Sequence, residues 1–418
     1  MKKVAIVGTG MAGMSAAYFL KDHFDLTIFE KNDYIGGHTN TVYVNENGEQ
    51  KPIDTGFIVF NEVTYTNMVK LFHELKVPYY DSDMSFSVME TDSGLEYNGS
   101  SLWNGLFAQK KNLFSPSFWK MLLDIQKLCK LAPKLVEDPR FENLTVRDLV
   151  LTEGYGKNFL DHFVVPMSSA VWSTPHMKVL DFPARTLIRF FLNHGFLGLD
   201  TQHQWKTVKG GSETYKQKII EKVRDRIKVS SGVTQVEVTG NQVKLTTVKG
   251  ESYDFDHVIF ASHADEALEM IKNPTELQRE LLSSFKYQEN IAVLHTDSSL
   301  MPKIEKNWSS WNFVYKENDS FTVYYMNRLQ NISKKKEYFI NINGERFVAR
   351  DKIIKRIVYH HPLFDRKAIK AQERLPELNK GKPPLYFCGS YFRYGFHEDA
   401  LWSSVLLCEE ILQRKLLT

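Results

Sequence analysis

Gly8, Gly10 and Gly13 follow the apolar run Val4-Ala5-Ile6-Val7 at Gly-x-Gly-x-x-Gly spacing, and Met11 to Leu20 continues with helix formers and small residues. Strand, glycine turn and helix in that order suit a phosphate loop. The first glycine allows a tight turn, the second lets backbone approach a pyrophosphate, and the third lets helix and strand pack closely. The helix N-terminus then presents unpaired N–H groups and a positive dipole end to the phosphates. Glu30 ends the next apolar segment, Asp25 to Glu30, and can accept both hydroxyls of an adenosine ribose. NAD and FAD both fit this far. Beyond Lys31, the pair Gly36-Gly37 with His38 and Thr39 falls where a second backbone approach to the pyrophosphate of FAD would lie.

The elements that must hold these residues return at intervals along the chain. Residues from about 64 to 135 read as an insertion, with helical patterns at Tyr65 to Leu75 and Trp119 to Leu135 and a strand-like piece at Met84 to Glu90. Nucleotide-domain character resumes near Gly210-Gly211: a helix over Tyr215 to Ile227, strands around Lys228 to Val238 and Gln242 to Lys249, then His257 to Ala261. Strand-like segments at Ile291 to His295, Phe321 to Asn327 and Tyr338 to Ile342 suit a mixed substrate-side sheet. The strand Pro384 to Cys388 and the helix Ala400 to Leu412 close the chain. The expected fold is α/β, a Rossmann-like nucleotide domain (1–75, 205–268 and 380–418) interwoven with an α+β substrate domain (76–204 and 269–379).

From these motifs the sequence resembles the amine-oxidase-like flavoprotein family of monoamine oxidases, protoporphyrinogen oxidase and phytoene desaturases. The resemblance runs nearly end to end. It takes in Asp54-Thr55-Gly56-Phe57, Gly210-Gly211, Val233 to Val236, Phe387-Cys388-Gly389-Ser390 and Gly395 to Ala400. Gly37 to Thr41, Ser82 to Ser87 and Tyr394 to Asp399 look more narrowly like a bacterial-type branch associated with cyclopropane and other modified fatty acids. The resemblance implies FAD in a GR2-type Rossmann-like domain, with the isoalloxazine at the domain interface. It places Gly8, Gly10, Ala12 and Gly13 at the pyrophosphate, Glu30 with Lys31 on the ribose side, and Gly36, Gly37, His38 and Thr39 on the phosphate side. Val233 is expected at the adenine, Gly56 and Phe57 by the flavin ring, and Gly389 and Glu398 by the ribityl and pyrophosphate. Phe396, His397 and Ala400 complete the implied contacts. Many relatives carry Arg where His38 stands, and no Cys in the closing motif resembles the covalent flavin attachment of monoamine oxidases.

Other chemistry finds little support. There is no Gly-x-Ser-x-Gly elbow, no Walker lysine and no His-x-x-x-His pair on an expected helix, and no acid–base residue stands out. His360-His361 is read as structural or substrate-side, since chain neighbours rarely face one metal, and no metal site is expected. One dinucleotide loop leaves no second nicotinamide site of the same type. With 53 Lys and Arg against 50 Asp and Glu, the net charge of +3 is too small for a nucleic-acid footprint. Cys129, Cys388 and Cys408 lie far apart, fitting a reducing compartment, and the glycines interrupt what would otherwise imitate a secretory signal. The expected location is cytoplasmic.

Aromatic residues make 13% of the chain, hinting at a roomy apolar cavity. Between residues 103 and 135, Trp103, Phe107, Phe114, Phe118 and Trp119 mix with six lysines against the single acid Asp124. Two readings stand: a face resting on anionic lipid, or a helix packed on the substrate domain with solvated lysines. The expected activity is FAD-dependent hydride removal from an apolar substrate, an acyl chain on a lipid or modified fatty acid. The alternatives are a flavin amine oxidase, which needs a second aromatic wall opposite Phe396, a flavin-dependent isomerase or mutase, and a non-enzymatic nucleotide binder.

Overall fold

The computed structural model describes residues 1–173, 176–197 and 202–417. Residues 174, 175 and 198–201, expected in the substrate domain, lie outside the described residues. The strand Lys3–Val7 is the middle of a five-stranded parallel sheet, with Asp25–Phe29 and Ile227–Lys228 on one side and His257–Phe260 and Leu385–Phe387 on the other. Val4 pairs with Leu26 and His257, and Ile259 with Tyr386. A parallel sheet has both faces covered, which is why this strand reads as an unbroken apolar run; Ala5 and Ile6 are fully buried.

A seven-stranded sheet forms the second layer system. Its order is Ile353–Leu363, Lys286–His295, Phe339–Ile342, Asp319–Tyr325, Trp311–Lys316, Phe86–Glu90 and Leu95–Asn98, antiparallel except where Trp311–Lys316 meets Phe86–Glu90. A three-stranded antiparallel sheet, Val233–Thr239, Gln242–Thr247 and Ser252–Phe255, lays Tyr253 and Phe255 against Phe29. The helices Pro116–Glu137 and Ala184–Asn193 pack together, and one apolar cluster runs from Phe118 and Leu187 through Phe285 to Phe387.

Asp54 pins the crossing between segments. Its buried carboxylate accepts hydrogen bonds from Ser212 N and Oγ, from Thr41 Oγ1 and from Gln330 Nε2. Gly211, at φ +82°, is required here because a Cβ would lie 3.1 Å from Asp54 Oδ1.

Element boundaries differ from the sequence reading at several places. The helix expected over Tyr215 to Ile227 ends at Ile220, because Ile227 is taken into the parallel sheet opposite Ile28, where pairing outweighs helix propensity. The strand expected over Phe321 to Asn327 stops at Tyr325, and Met326–Gln330 turns helical. The expected domain boundary at 268 falls inside the helix Ala264–Met270.

The helix Met11–Leu20 lies on the sheet through Gly13, where a Cβ would stand 1.9 Å from the Gly8 carbonyl oxygen. Gly13→Ala is therefore expected to lower unfolding free energy by about 3 kcal/mol through overpacking, measured by denaturant titration. A change below about 1 kcal/mol would contradict this packing.

Candidate functional site

A cavity of about 840 Å³ opens along the C-terminal ends of the parallel strands and runs under the edge of the seven-stranded sheet. One end is polar. Glu30, buried at the end of its strand, accepts from Thr9 N and Thr9 Oγ1 at one oxygen and from Asn32 N and Asn32 Nδ2 at the other. These four donors fill the lone-pair sites of a carboxylate. A ribose diol would therefore take the places of the Thr9 hydroxyl and the Asn32 amide. Lys31 is ion-paired with Glu266 beside it, and Val233 lines the same end.

The glycine loop fits a pyrophosphate on two independent grounds. A Cβ at Gly10 would meet nothing within 4 Å, while one at Gly37 would meet the Gly10 Cα at 3.3 Å, so two bare backbones face each other at the cavity wall. Gly10 caps the helix with no side-chain hydrogen bond, and the first turn holds no acid, which leaves its N–H groups for an anion. Among the described residues the only Lys or Arg lining the cavity is Lys31. Imidazoles stand where a cation would be useful. His38 stacks on Tyr359 at 4.7 Å and meets His361 edge-on at 4.9 Å, and its Nε2 is buried without a partner. Burial, then the neighbouring His361, holds His38 well below the usual imidazole range, and burial lowers His361 and His263 to about 4. The cavity is thus built with neutral histidines, and the helix N-terminus carries most of its attraction for phosphate.

Gly8, Gly10, Ala12, Glu30, Lys31, Gly37, His38, Gly56, Phe57, Val233, Gly389, Phe396, His397 and Ala400 all line this one cavity. Four residues singled out from the sequence do not. Gly13 serves the helix–strand contact. Gly36, at φ +123°, turns the chain where a Cβ would strike the Thr39 carbonyl oxygen at 2.4 Å. Thr39 is fully buried, its hydroxyl 2.7 Å from Tyr215 OH and 3.1 Å from His397 Nε2, so it positions His397 from behind. Glu398 is the clear correction. Its carboxylate accepts from Asn67 N, Asn67 Nδ2 and Met68 N, capping the helix Thr66–Glu74 instead of facing the cavity.

Sequence reasoning missed the far end. Trp172, Phe190, His194, Phe196 and Trp205 meet ring to ring, with Phe190 and Phe396 stacked at 5.2 Å and Phe196 and Trp205 nearly parallel at 6.3 Å. Tyr65, Met84, Trp311 and Tyr324 complete this lining. His194 donates through Nδ1 to the Phe190 carbonyl, which leaves the Nε2 lone pair free, and burial lowers it to about 4. No carboxylate, Lys or Arg lines this end among the described residues. The only signal in the sequence was the high aromatic share. His360 and His361 also line the cavity, on the substrate-side sheet.

Two measurements follow from this electrostatics. An anionic diphosphate raises the proton affinity of nearby imidazoles, so the complex binds more protons than the free protein. With His361 and His263 at about 4 in the free protein, FAD affinity is then expected to stay level through neutral pH and to rise as pH falls toward about 4, read by calorimetric titration; a rise already complete by about pH 6 would contradict it. Gly10→Ala is expected to leave thermal stability within about 0.5 kcal/mol while weakening FAD retention at least about tenfold, because its Cβ would fill the phosphate approach.

The family model for flavin containing amine oxidoreductases matches residues 11–303. Flavin-containing amine oxidase A of Sus scrofa is 25% identical over 277 residues, covering 62% of this chain and 49% of its own length. Flavin-containing amine oxidase B of Homo sapiens is 25% identical over 276 residues with the same coverage. The chain thus spans about half the length of the curated relatives it matches. Among solved structures, cyclohexylamine oxidase from Brevibacterium oxydans superposes with a TM-score of 0.69 at 15% identity, covering 99% of this chain and 100% of that one. A CLA-producing fatty acid isomerase from P. acnes gives 0.69 at 14% identity, with 99% and 98% covered. Glycine loop, ribose-side acid, interwoven sheets and matched family model agree: the chain belongs to the flavin-containing amine oxidoreductase family, whose cofactor is FAD.

Proposed function

We propose that the protein is an FAD-dependent oxidoreductase that removes a hydride from an uncharged, apolar substrate, with the acyl chain of a lipid or modified fatty acid as its class. The observation carrying this reading is the aromatic end of the cavity, which among the described residues offers apolar walls and no charged side chain. An ammonium group there would be buried with no carboxylate to pair with, at a cost of several kcal/mol. Phe190 covers one face of Phe396, with ring centroids 5.2 Å apart.

In this reading the polar end holds FAD through Gly10, Gly37 and the helix N-terminus, with Glu30 on the ribose and Val233 by the adenine. Gly56, Phe57 and His397 back the ring portion, with His397 stacked on Phe57 at 4.1 Å and kept neutral by burial, which lowers it to about 3. The chemistry that bound FAD supplies is acceptance of a hydride. Trp172, Phe190 and Trp205 exclude water and align the apolar chain. His194 Nε2, whose lone pair is left unused by the Nδ1 hydrogen bond, takes the proton released from the neighbouring carbon.

A second reading is a flavin-dependent isomerase, favoured by the same neutral cavity and by the fold shared with a fatty acid isomerase. Product mass separates the two. Loss of two hydrogens from an unsaturated or saturated acyl substrate supports dehydrogenation, an unchanged mass supports isomerisation, and turnover of alkyl amines alone would overturn both. His194→Gln is expected to lower kcat at least about tenfold with little change in KM if it accepts the proton. An unchanged kcat would remove it from that role.

A further inference from the structure

Most large apolar side chains of this protein are buried, yet one short stretch leaves several in solvent. Phe114 is 81% exposed, Trp103 67% and Leu123 63%, with Leu102, Leu113 and Trp119 beside them. Among the described residues, every Trp or Phe that counts as exposed lies here. The group is contiguous. Trp103 and Trp119 both pack on Phe107, at 6.0 and 5.1 Å, and Trp119 Nε1 donates to the Leu113 carbonyl. Trp119 and Leu123 are one helical turn apart on the outer face of the helix Pro116–Glu137.

Positive charge borders the patch. Lys130 and Lys134 continue the same helix, and Lys110 precedes it, all three exposed and without a carboxylate partner among the described residues. Asp124, the single acid between residues 103 and 135, is buried and held by Lys120 Nζ and Gly156 N. Apolar tips with Trp beside unpaired lysines match the layering of a bilayer surface, where rings sit at headgroup depth and lysines meet anionic phosphates. A second copy of this chain suits the face poorly, because a two-fold contact would set lysines against lysines with no exposed acid between them.

We propose that the surface formed by Leu102, Trp103, Phe114, Trp119 and Leu123, bordered by Lys110, Lys130 and Lys134, docks on an anionic phospholipid bilayer. The helix beneath it packs on Ala184–Asn193, whose Phe190 lines the cavity together with His194 just past its end. Docking would therefore bring the aromatic end close to the lipid phase. Only this last link rests on the acyl-substrate reading; the docking does not.

The test is sedimentation of the FAD-loaded full chain with vesicles of phosphatidylglycerol and phosphatidylcholine, and with phosphatidylcholine alone. The protein is expected to sediment with the anionic vesicles and to be released by salt. Lys130→Glu is expected to weaken binding about fivefold or more, and Phe114→Ser with Trp103→Ser at least about tenfold. The flavin absorbance and melting temperature of both variants should match the parent, since the altered side chains are exposed. Three results would overturn the proposal: no sedimentation of the parent at low salt, equal sedimentation of parent and variants, or a solution dimer that Phe114→Ser abolishes. Vesicle binding without acyl turnover would leave the docking intact and count against the substrate reading alone.

Discussion

The position of the whole cavity depends on a contact with no room to spare. Gly13 brings the helix Met11–Leu20 onto the sheet so closely that a single added carbon would lie 1.9 Å from the Gly8 carbonyl. That approach aims the first turn of the helix at the ends of the parallel strands, where Gly10 and Gly37 leave backbone bare. An anion there meets N–H groups and a dipole instead of side-chain charge. The rest of the polar end follows from this geometry, with Glu30 one strand away and the histidines of the substrate-side sheet facing it.

Neutrality is the second organising feature. His38, His361, His263 and His397 are held below the ordinary imidazole range, chiefly by burial, and among the described residues the aromatic end has neither acid nor base of permanent charge. Among the described residues, the full charges lining the cavity are the pair Lys31 and Glu266 and the acids Glu30 and Glu269. A long cavity that is charged at one end and aromatic at the other favours a polar group at the first and an apolar one at the second by desolvation.

Local motifs were legible in the sequence because they are set by backbone sterics within a few residues. Gly8 and Gly10 of the glycine loop, the acid Glu30 after the second strand and Gly37 of the glycine pair line one cavity, while Gly13 and Gly36 serve packing and the turn. What depends on distant packing was not legible. Glu398 sits in a motif next to cavity residues, yet a helix terminus over three hundred residues away in the chain, at Asn67 and Met68, claims its carboxylate. His194 and Trp205 come from segments with no motif and converge only because helix and sheet bring them together. His360 and His361 gave a visible pair without a direction, and the alternation of the strand Ile353–Leu363 decides what each one faces.

The central claim is that the aromatic end selects an uncharged donor. The most direct test is anaerobic reduction of the bound flavin, followed by its visible absorbance, with two chains of equal length: a fatty acyl ester and the corresponding alkyl amine. The account predicts bleaching by the ester and an oxidised spectrum with the amine at neutral pH. Bleaching by the amine alone would contradict it.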